Sequence, residues 1–168
     1  MAELDDEQWQ VRPACVQDIT ELVRLKAVIM LTAYPFDVDL DEHPDWPDRA
    51  GAAIRDMMAR GDHGFFVVDD PDRPGRLAGC VSASLLRYVP GPTWGPVHAY
   101  IGDMCTDTRF RGIGLGRLLM DAALEWCRTK GAQSVRLDAT PDAVPVYEKL
   151  GFEGRSGDEL FPTMMRWL

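Results

Sequence analysis

Residues Arg111-Gly-Ile-Gly-Leu-Gly116 decide which fold this chain is expected to have. They follow an apolar, strand-like run at residues 100–107 and open an amphipathic helix predicted over residues 115–130. Glycines let the backbone approach an anion closely, and at a helix start free N–H groups and the positive end of the helix dipole point to one place. Arg111 adds a cation with planar donors. The pattern predicts a ligand that carries phosphate or pyrophosphate.

The spacing of these glycines excludes the two common nucleotide-binding motifs. A P-loop requires Lys followed by Ser or Thr at the helix start, and the sequence offers Arg117 and Leu118 there. A dinucleotide fingerprint requires G-x-G-x-x-G directly after a strand, whereas the three glycines here alternate and residues 108–111 intervene. A nucleotide-phosphate enzyme of either type is therefore disfavoured.

The run resembles the R-x-x-G-x-G/A loop of the GNAT superfamily of N-acetyltransferases, with Arg111, Gly114 and Gly116 at its three defining positions. Residues 100–111, Tyr-Ile-Gly-Asp-Met-Cys-Thr-Asp-Thr-Arg-Phe-Arg, are similar to the family's fourth strand and the turn after it. Residues 139–152 are similar to its second signature, which ends in Tyr-x-x-x-Gly-Phe. The close resemblance spans residues 99–153, and the order and spacing of the motifs agree with it.

Length and composition predict one globular domain over residues 1–168, with 46% apolar and 9% aromatic residues. The net charge of −9 argues against nucleic-acid binding and is compatible either with a cationic substrate or with solubility alone. The first seven residues lack a signal-like apolar segment, and no run approaches the roughly 20 apolar residues of a membrane helix. We therefore expect a cytoplasmic protein without a membrane partner.

The cysteines form no C-x-x-C pair, and each lies in an apolar run, at Cys15, Cys80, Cys105 and Cys127. We expect buried free thiols in a reducing compartment, and no metal site. A covalent route through Cys105 is disfavoured, because no His or Asn pattern accompanies this residue.

Apolar periodicity and turn residues predict ten elements. The predicted strands are Gln8 to Pro13, Gly64 to Asp69, Arg76 to Val89, residues 100–107, a buried-type strand from Ser134 to Thr140, and Thr163 to Leu168. Four helices are predicted. The first begins at a capping box of Asp18 and Glu21, and the second follows a loop from Tyr34 to Pro47 and ends at Gly61. The third covers Leu115 to Lys130, and the fourth covers Asp142 to Leu150. The order β-α-α-β-β-β-α-β-α-β predicts an α+β protein with helices against a mixed sheet, and the resemblance supplies the GNAT topology.

The resemblance implies acetyl-CoA as the donor, a primary amine as the acceptor and no metal. It implies that the pyrophosphate lies on the backbone N–H groups of Arg111, Gly112, Ile113, Gly114, Leu115, Gly116 and Arg117. It also implies that the pantetheine arm pairs with the signature strand at Met104, Cys105 and Thr106. An N–H near Met104 is the candidate donor to the thioester oxygen.

Tyr147 matches the family's general-acid tyrosine, four residues before Gly151. Its hydroxyl is a donor at neutral pH, which suits protonation of the departing thiolate. The alternative is a core tyrosine that packs the short helix. Thr140, seven residues before Tyr147, stands where many relatives carry Asn, and either contacts the pantetheine arm or caps the short helix.

Asp103 is the candidate base, acting directly or through one water. Gly102 stands where relatives often carry Glu, so one common carboxylate base is missing. The alternative is that Asp103 only organises hydrogen bonds at a strand bulge. His98 and Asp138 are weaker candidates.

The acceptor is expected to contact the loop between the first two helices, where carboxylates and aromatic rings suit a cationic amine: Tyr34, Phe36, Asp37, Asp39, Asp41, Glu42, Asp45, Trp46 and Asp48. A solvated acidic loop is the alternative. Trp94 and His98 are further candidates for the same cleft. A small-molecule or a peptidyl amine fits, and a homodimer is compatible with the family. The rival to an active transferase is a catalytically weak, acyl-CoA-binding or regulatory protein of the same fold.

Overall fold

The computed structural model describes residues 8–33 and 39–154. It divides into two compact units, one that ends at Leu137 and one that begins at Asp138. The two units are described separately below, and the expectation of a single domain stays a prediction. No helix in the described ranges has the length and apolar character that a membrane crossing requires.

A five-stranded mixed sheet forms the first unit. Its strands are β1 Val11–Pro13, β2 His63–Asp69, β3 Leu77–Arg87, β4 Val97–Thr106 and β5 Val135–Arg136, and they lie side by side in that order. Neighbours from β1 to β4 are antiparallel, whereas β5 is parallel to β4. The predicted hairpin of β2 and β3 and the predicted mixed sheet are confirmed.

Helices cover both faces of this sheet. Helices α1 (Ile19–Ala33) and α2 (Trp46–Arg60) pack on one face, and α3 (Leu115–Thr129) packs on the other. Successive side chains of a strand point to opposite faces. Phe65 accordingly belongs to the core cluster of α1, while the ring of Phe66 meets Trp126 of α3 edge to face at 6.3 Å. Double coverage explains why β2 and β3 are buried almost continuously.

Helix α3 approaches the sheet closely because β3 has a glycine beneath it. A Cβ at Gly79 would lie 2.9 Å from the carbonyl oxygen of Cys105 and 3.0 Å from Leu119 Cδ1. A larger residue would force the backbone of β4 at Cys105, and the Leu119 side chain, to shift. The apolar stripe of α3, read from the sequence, is the stripe that is buried: Leu115, Leu119, Met120, Ala123 and Cys127.

The beginning of α1 differs from the predicted capping box. A 3-10 turn at Val16–Asp18 precedes the helix, and Asp18 turns back to accept the Cys15 N–H at 2.7 Å. Glu21 instead accepts the N–H of Leu77 at 3.0 Å and pairs with arginines. Glu21 thus serves tertiary contacts that residue spacing does not encode, whereas Asp18 closes a local capping box with Cys15, one turn earlier than predicted. Cys15 is exposed, so its predicted burial is wrong, while Cys80, Cys105 and Cys127 are buried as expected.

Several predicted boundaries need correction. Strand β1 begins at Val11 rather than at Gln8, and β4 begins at Val97 rather than at residue 100. Within the predicted 34–47 loop, residues 34–38 lie outside the described ranges, Leu40–Glu42 form a 3-10 turn and α2 begins at Trp46. Pro47 fits in the first turn of α2 because its missing N–H has no intrahelical partner there. The buried-type strand predicted from Ser134 to Thr140 is wrong: only two residues pair, and they are half-buried or exposed. Among the described strands, β5 is an edge strand with no neighbour to bury its second side.

The second unit contains helix α4 (Val144–Glu148), inside the range predicted for a short helix. Gly151 follows it with a φ of 84°, the left-handed conformation typical after a helix end. The predicted final strand, Thr163 to Leu168, lies outside the described residues.

Candidate active site

Strand β4 carries a bulge at its centre. Ser82 of β3 pairs with Gly102, and Cys80 pairs with Cys105, so two residues of β4 face the single residue Val81. These two residues are Asp103 and Met104, one more than a regular ladder would place there. A bulge leaves one residue out of the ladder and bends the strand. The bulge therefore interrupts β4 where the resemblance expects the thioester.

Asp103 has a φ of 48°, and among the described residues it is the one non-glycine residue with a positive φ. Asp tolerates this conformation better than most residues, yet it is strained, and such strain concentrates at functional sites. Its Oδ1 accepts from Lys26 Nζ at 2.6 Å and its Oδ2 from Ser82 Oγ at 3.4 Å, and its carbonyl accepts from the thiol of Cys80. Its side chain is 40% exposed. The geometry is that of an accessible, oriented carboxylate.

Lys26, which holds this carboxylate from α1, is not among the residues that the sequence predicts for the site. The available signal was a single lysine four residues after Leu22 on an otherwise apolar helix face. Pairing it with Asp103 requires knowing that α1 lies over β4, which the sequence pattern alone does not give.

The glycine-rich turn, residues 111–116, contains two glycines in the left-handed backbone conformation. Gly112 has a φ of 80° and Gly114, the residue before α3, a φ of 101°. A Cβ at Gly112 or Gly116 would meet nothing within 4 Å, so the space beside the turn is open. Arg111 is exposed, and its Nε donates to the carbonyl of Thr106 at 3.4 Å. A helix start with open space and an adjacent cation fits a pyrophosphate.

An ion-pair network anchors the segment between β4 and this turn. The Asp107 N–H donates to Ala78 O at 2.8 Å, and its carboxylate accepts from Arg24 Nη1 at 2.8 Å and from the Arg109 N–H at 3.2 Å. Burial alone would raise the pKa of Asp107, but these hydrogen bonds outweigh it and lower that pKa. Asp107 therefore stays ionised and fixes the turn relative to α1.

The second half of β4 has one open edge among the described residues. Strand β5 pairs with Ala99 and Tyr100, and the pairing ends there. An open strand edge offers N–H and C=O groups to an extended ligand. Met104, Cys105 and Thr106 lie on this half, which fits the expected pairing with a pantetheine arm.

The second unit holds Tyr147 and Thr140. Burial raises the pKa of Tyr147 above its ordinary value of 10, and its ring meets Phe152 edge to face at 5.9 Å. The carbonyl of Thr140 accepts from the N–H groups of Ala143 and Val144, so Thr140 closes the turn before α4 through its backbone. The residue that precedes the helix is Ala143, so the prediction that the Thr140 side chain caps it from that position is wrong.

His98 has structural partners at both ring nitrogens. Nδ1 lies 2.7 Å from Ser134 Oγ and Nε2 lies 3.1 Å from Gly95 O. The rings of Tyr88 and Trp94 pack against it at 5.4 and 6.2 Å. These contacts favour the structural interpretation of His98 over a catalytic one, and they give Trp94 a packing role. The alternative base Asp138 is exposed, in the second unit.

The thiols do not support covalent catalysis. Burial raises the pKa of Cys105 to about 11, so this side chain is a thiol and a poor nucleophile at neutral pH.

Of the acidic loop, Asp39 accepts the Asp41 N–H at 2.9 Å and Asp45 pairs with Arg49 at 2.8 Å. These are local, exposed contacts. Tyr34, Phe36 and Asp37 lie outside the described residues.

Known proteins resemble this chain in family and in fold. The model of the family described as "Acetyltransferase (GNAT) family" matches residues 30–152. The chain is 40% identical over 78 residues to the glucosamine 6-phosphate N-acetyltransferase of Trypanosoma brucei brucei, which is 46% of this chain and 52% of that protein. It is 33% identical over 103 residues to the enzyme of the same name from Arabidopsis thaliana, 61% of this chain and 68% of that protein.

The chain thus spans about half the length of the first of these curated relatives. Among solved structures, a predicted acetyltransferase with acetyl-CoA from Clostridium acetobutylicum superimposes with a TM-score of 0.74, over 93% of this chain and 96% of that one. At 18% identity this likeness shows the fold alone. The predicted α+β fold is confirmed.

Proposed function

Because the chain belongs to the acetyltransferase (GNAT) family, we propose that it is an acetyl-CoA-dependent N-acetyltransferase that passes the acetyl group directly to a primary amine. One observation carries the proposal. The bulged strand β4 leads, through a turn anchored at Asp107, to two positive-φ glycines and Arg111 at the start of α3. The turn supports pyrophosphate binding, and the open edge of β4 supports binding of an extended arm.

Residues Arg111 to Arg117 are proposed to bind the pyrophosphate, chiefly through backbone N–H groups. Met104, Cys105 and Thr106 are proposed to pair with the pantetheine arm, and Thr140 to add a hydrogen bond. Since backbone groups do most of this work, a thiol at Cys105 is compatible with it.

Acetyl-CoA supplies an acetyl thioester: the acceptor nitrogen forms a bond to the carbonyl carbon, the C–S bond breaks, and CoA leaves as its thiol. The N–H of Met104, in the bulge, is proposed to stabilise the carbonyl oxygen. Asp103, directly or through one water, takes the proton that the amine loses. Tyr147 is proposed to give a proton to the departing sulfur, and its raised pKa keeps the hydroxyl protonated at neutral pH.

The acceptor is proposed to be a primary amine. Glucosamine 6-phosphate, which the curated relatives are named for, belongs in any first panel. A cationic amine is compatible with the net charge of −9. The alternative, an acyl-CoA-binding protein with little turnover, is favoured by one feature: Gly102 stands where the family often carries Glu.

The first test is calorimetric titration of the whole chain with acetyl-CoA, followed by thiol release with a panel of primary amines. Binding together with release on an amine supports the transferase. Saturable binding with no release on any amine supports the alternative. Absence of binding would overturn both, and with them the role given to residues 111–117.

A further inference from the structure

A cavity of about 250 Å³ lies between α1, α2 and the β4 bulge, on the sheet face opposite α3. We call it the bulge cavity. Ligand sites commonly measure about 300–1,000 Å³, so this one suits a small ligand. Asp103 and Lys26 stand at its lining, which brings the candidate base into a space that the acceptor can occupy.

Most of the cavity lining is apolar. Trp46, Ile54 and Met57 come from α2, and Phe65 and Val81 come from the sheet. The tryptophan is half-buried, although it lies at the beginning of its helix beside exposed carboxylates. Apolar and aromatic walls bind alkyl or aryl groups by removing them from water. They offer nothing to the hydroxyl groups of a sugar.

The polar part of the cavity lining is small and carries no excess positive charge among the described residues. It comprises Lys26, Ser82 and Asp103, and the lysine is already paired with the carboxylate at 2.6 Å. A phosphate would need cations to compensate its charge. A carboxylate has about four lone-pair sites, and only one oxygen of Asp103 is taken by a short hydrogen bond. Lys26 balances the charge of Asp103, so the lining favours neither ion by net charge, but the available carboxylate oxygen suits an amine nitrogen, which donates hydrogen bonds, better than a phosphate, which only accepts them.

We infer that the acceptor is a small primary amine with an apolar alkyl or aryl group, held in the bulge cavity with its nitrogen at Asp103 and its apolar group against Trp46, Ile54 and Met57. This inference rests on the proposed transferase function and narrows its acceptor. It separates the acceptor class of this chain from the sugar phosphate after which the curated relatives are named.

A binding series without acetyl-CoA tests the inference independently of turnover. The whole chain is titrated calorimetrically with propylamine, butylamine, pentylamine, hexylamine, 2-phenylethylamine and glucosamine 6-phosphate. Each buried methylene is expected to lower Kd by up to about fourfold until the cavity is filled. A Kd that does not depend on chain length, or tighter binding of glucosamine 6-phosphate than of every apolar amine, would overturn the inference.

Two substitutions and a matched control locate the site. Asp103→Asn keeps the size and the tolerance of positive φ but removes the charge, and should raise the Kd of hexylamine about tenfold to a hundredfold. Ala53→Leu narrows the cavity from α2 and should also weaken hexylamine, whereas Ala52→Leu, on the same helix but away from the cavity, should not. If Ala53→Leu and Ala52→Leu change the Kd of hexylamine equally, the amine does not bind in the bulge cavity.

A separate titration with acetyl-CoA distinguishes the two levels of failure. If acetyl-CoA binds and glucosamine 6-phosphate is acetylated while apolar amines are not, the transferase function stands and the inference fails. If acetyl-CoA does not bind at all, the transferase function fails, whatever the amine series shows.

Discussion

Arg111 is the residue whose role is easiest to test. Its side chain is exposed beside the glycine-rich turn, so Arg111→Ala removes a cation without leaving a cavity in the core. Loss of hydrogen bonds to a charged group should raise the Kd for acetyl-CoA about tenfold to a hundredfold. Calorimetry measures this directly.

The matched control is Arg128→Ala, near the other end of α3, where the arginine pairs with Glu125 at the surface. It should leave the affinity for acetyl-CoA unchanged. Equal losses in the two variants would point to general electrostatics rather than to a specific contact at the turn.

Tyr147→Phe is expected to lower kcat by about a hundredfold or more, with little change in the affinity for acetyl-CoA, because the hydroxyl is proposed to give a proton to the departing sulfur. Since burial raises the pKa of Tyr147, the hydroxyl remains a donor up to at least pH 10, and loss of activity from its ionisation should appear only above that pH. A pH–rate profile with a saturated acceptor measures both. Full activity of the phenylalanine variant would favour the alternative, a packing tyrosine.

At this scale the sequence predicts the identity of residues better than their partners. Asp103 was predicted as a base or as an organiser of a bulge, and the bulge is present. Lys26 was not predicted, because it joins Asp103 from a helix 77 positions away in sequence. Motifs report neighbours along the chain, whereas such pairs exist only after packing.

Among the elements, α3 depends most on its buried stripe. Leu119 is fully buried and lies near Gly79 of β3. Leu119→Ala should lower the free energy of unfolding by about 2–5 kcal/mol, from lost burial and the cavity left behind. Urea unfolding followed by circular dichroism measures it, with the exposed Glu125→Ala as the control for the same helix. A loss below about 1 kcal/mol in the alanine variant at position 119 would mean that α3 relaxes onto the sheet.

Prediction of elements succeeded where periodicity was strong. The range predicted for α3 ends only one residue beyond the observed end. The agreement is close because the apolar stripe marks the length of the helix and Gly131, with a φ of 77°, marks its end. The strand at 134–140 was overpredicted, because an apolar run shows only that a strand is compatible. Whether it pairs over two residues or seven depends on its neighbours, which periodicity does not report.

For the whole molecule, acid stability should depend on the pair of Arg12 and Asp18. Arg12 donates two hydrogen bonds to this carboxylate, at 2.7 and 2.9 Å, and lowers the pKa of Asp18 from 3.8 to about 2. Because the pKa of Asp18 is lower in the folded state than in the unfolded state, the ionised carboxylate stabilises the fold at pH values above the pKa of the unfolded state. That contribution is lost as the pH falls from about 4 to 2.

The test is urea unfolding of the wild type and Asp18→Asn between pH 2 and 6. The wild type should lose up to about 2 kcal/mol from this group across the window, and the variant should show a correspondingly shallower decline. Asp56→Asn, which changes an exposed pair with Arg60, is the control. Parallel curves for the wild type and Asp18→Asn would assign acid unfolding to other carboxylates.

The α2 wall of the bulge cavity and the glycine-rich turn come from separate stretches of chain. The walls supplied by α2 fall within residues 46–57, whereas the bulge, the open strand edge and the turn occupy the continuous segment from 103 to 117. Natural variation can therefore act on one stretch and leave the other untouched. A lineage of such proteins would keep its acyl donor while acquiring new acceptors through changes confined to one helix, and grafting that helix between relatives is the corresponding route for engineering.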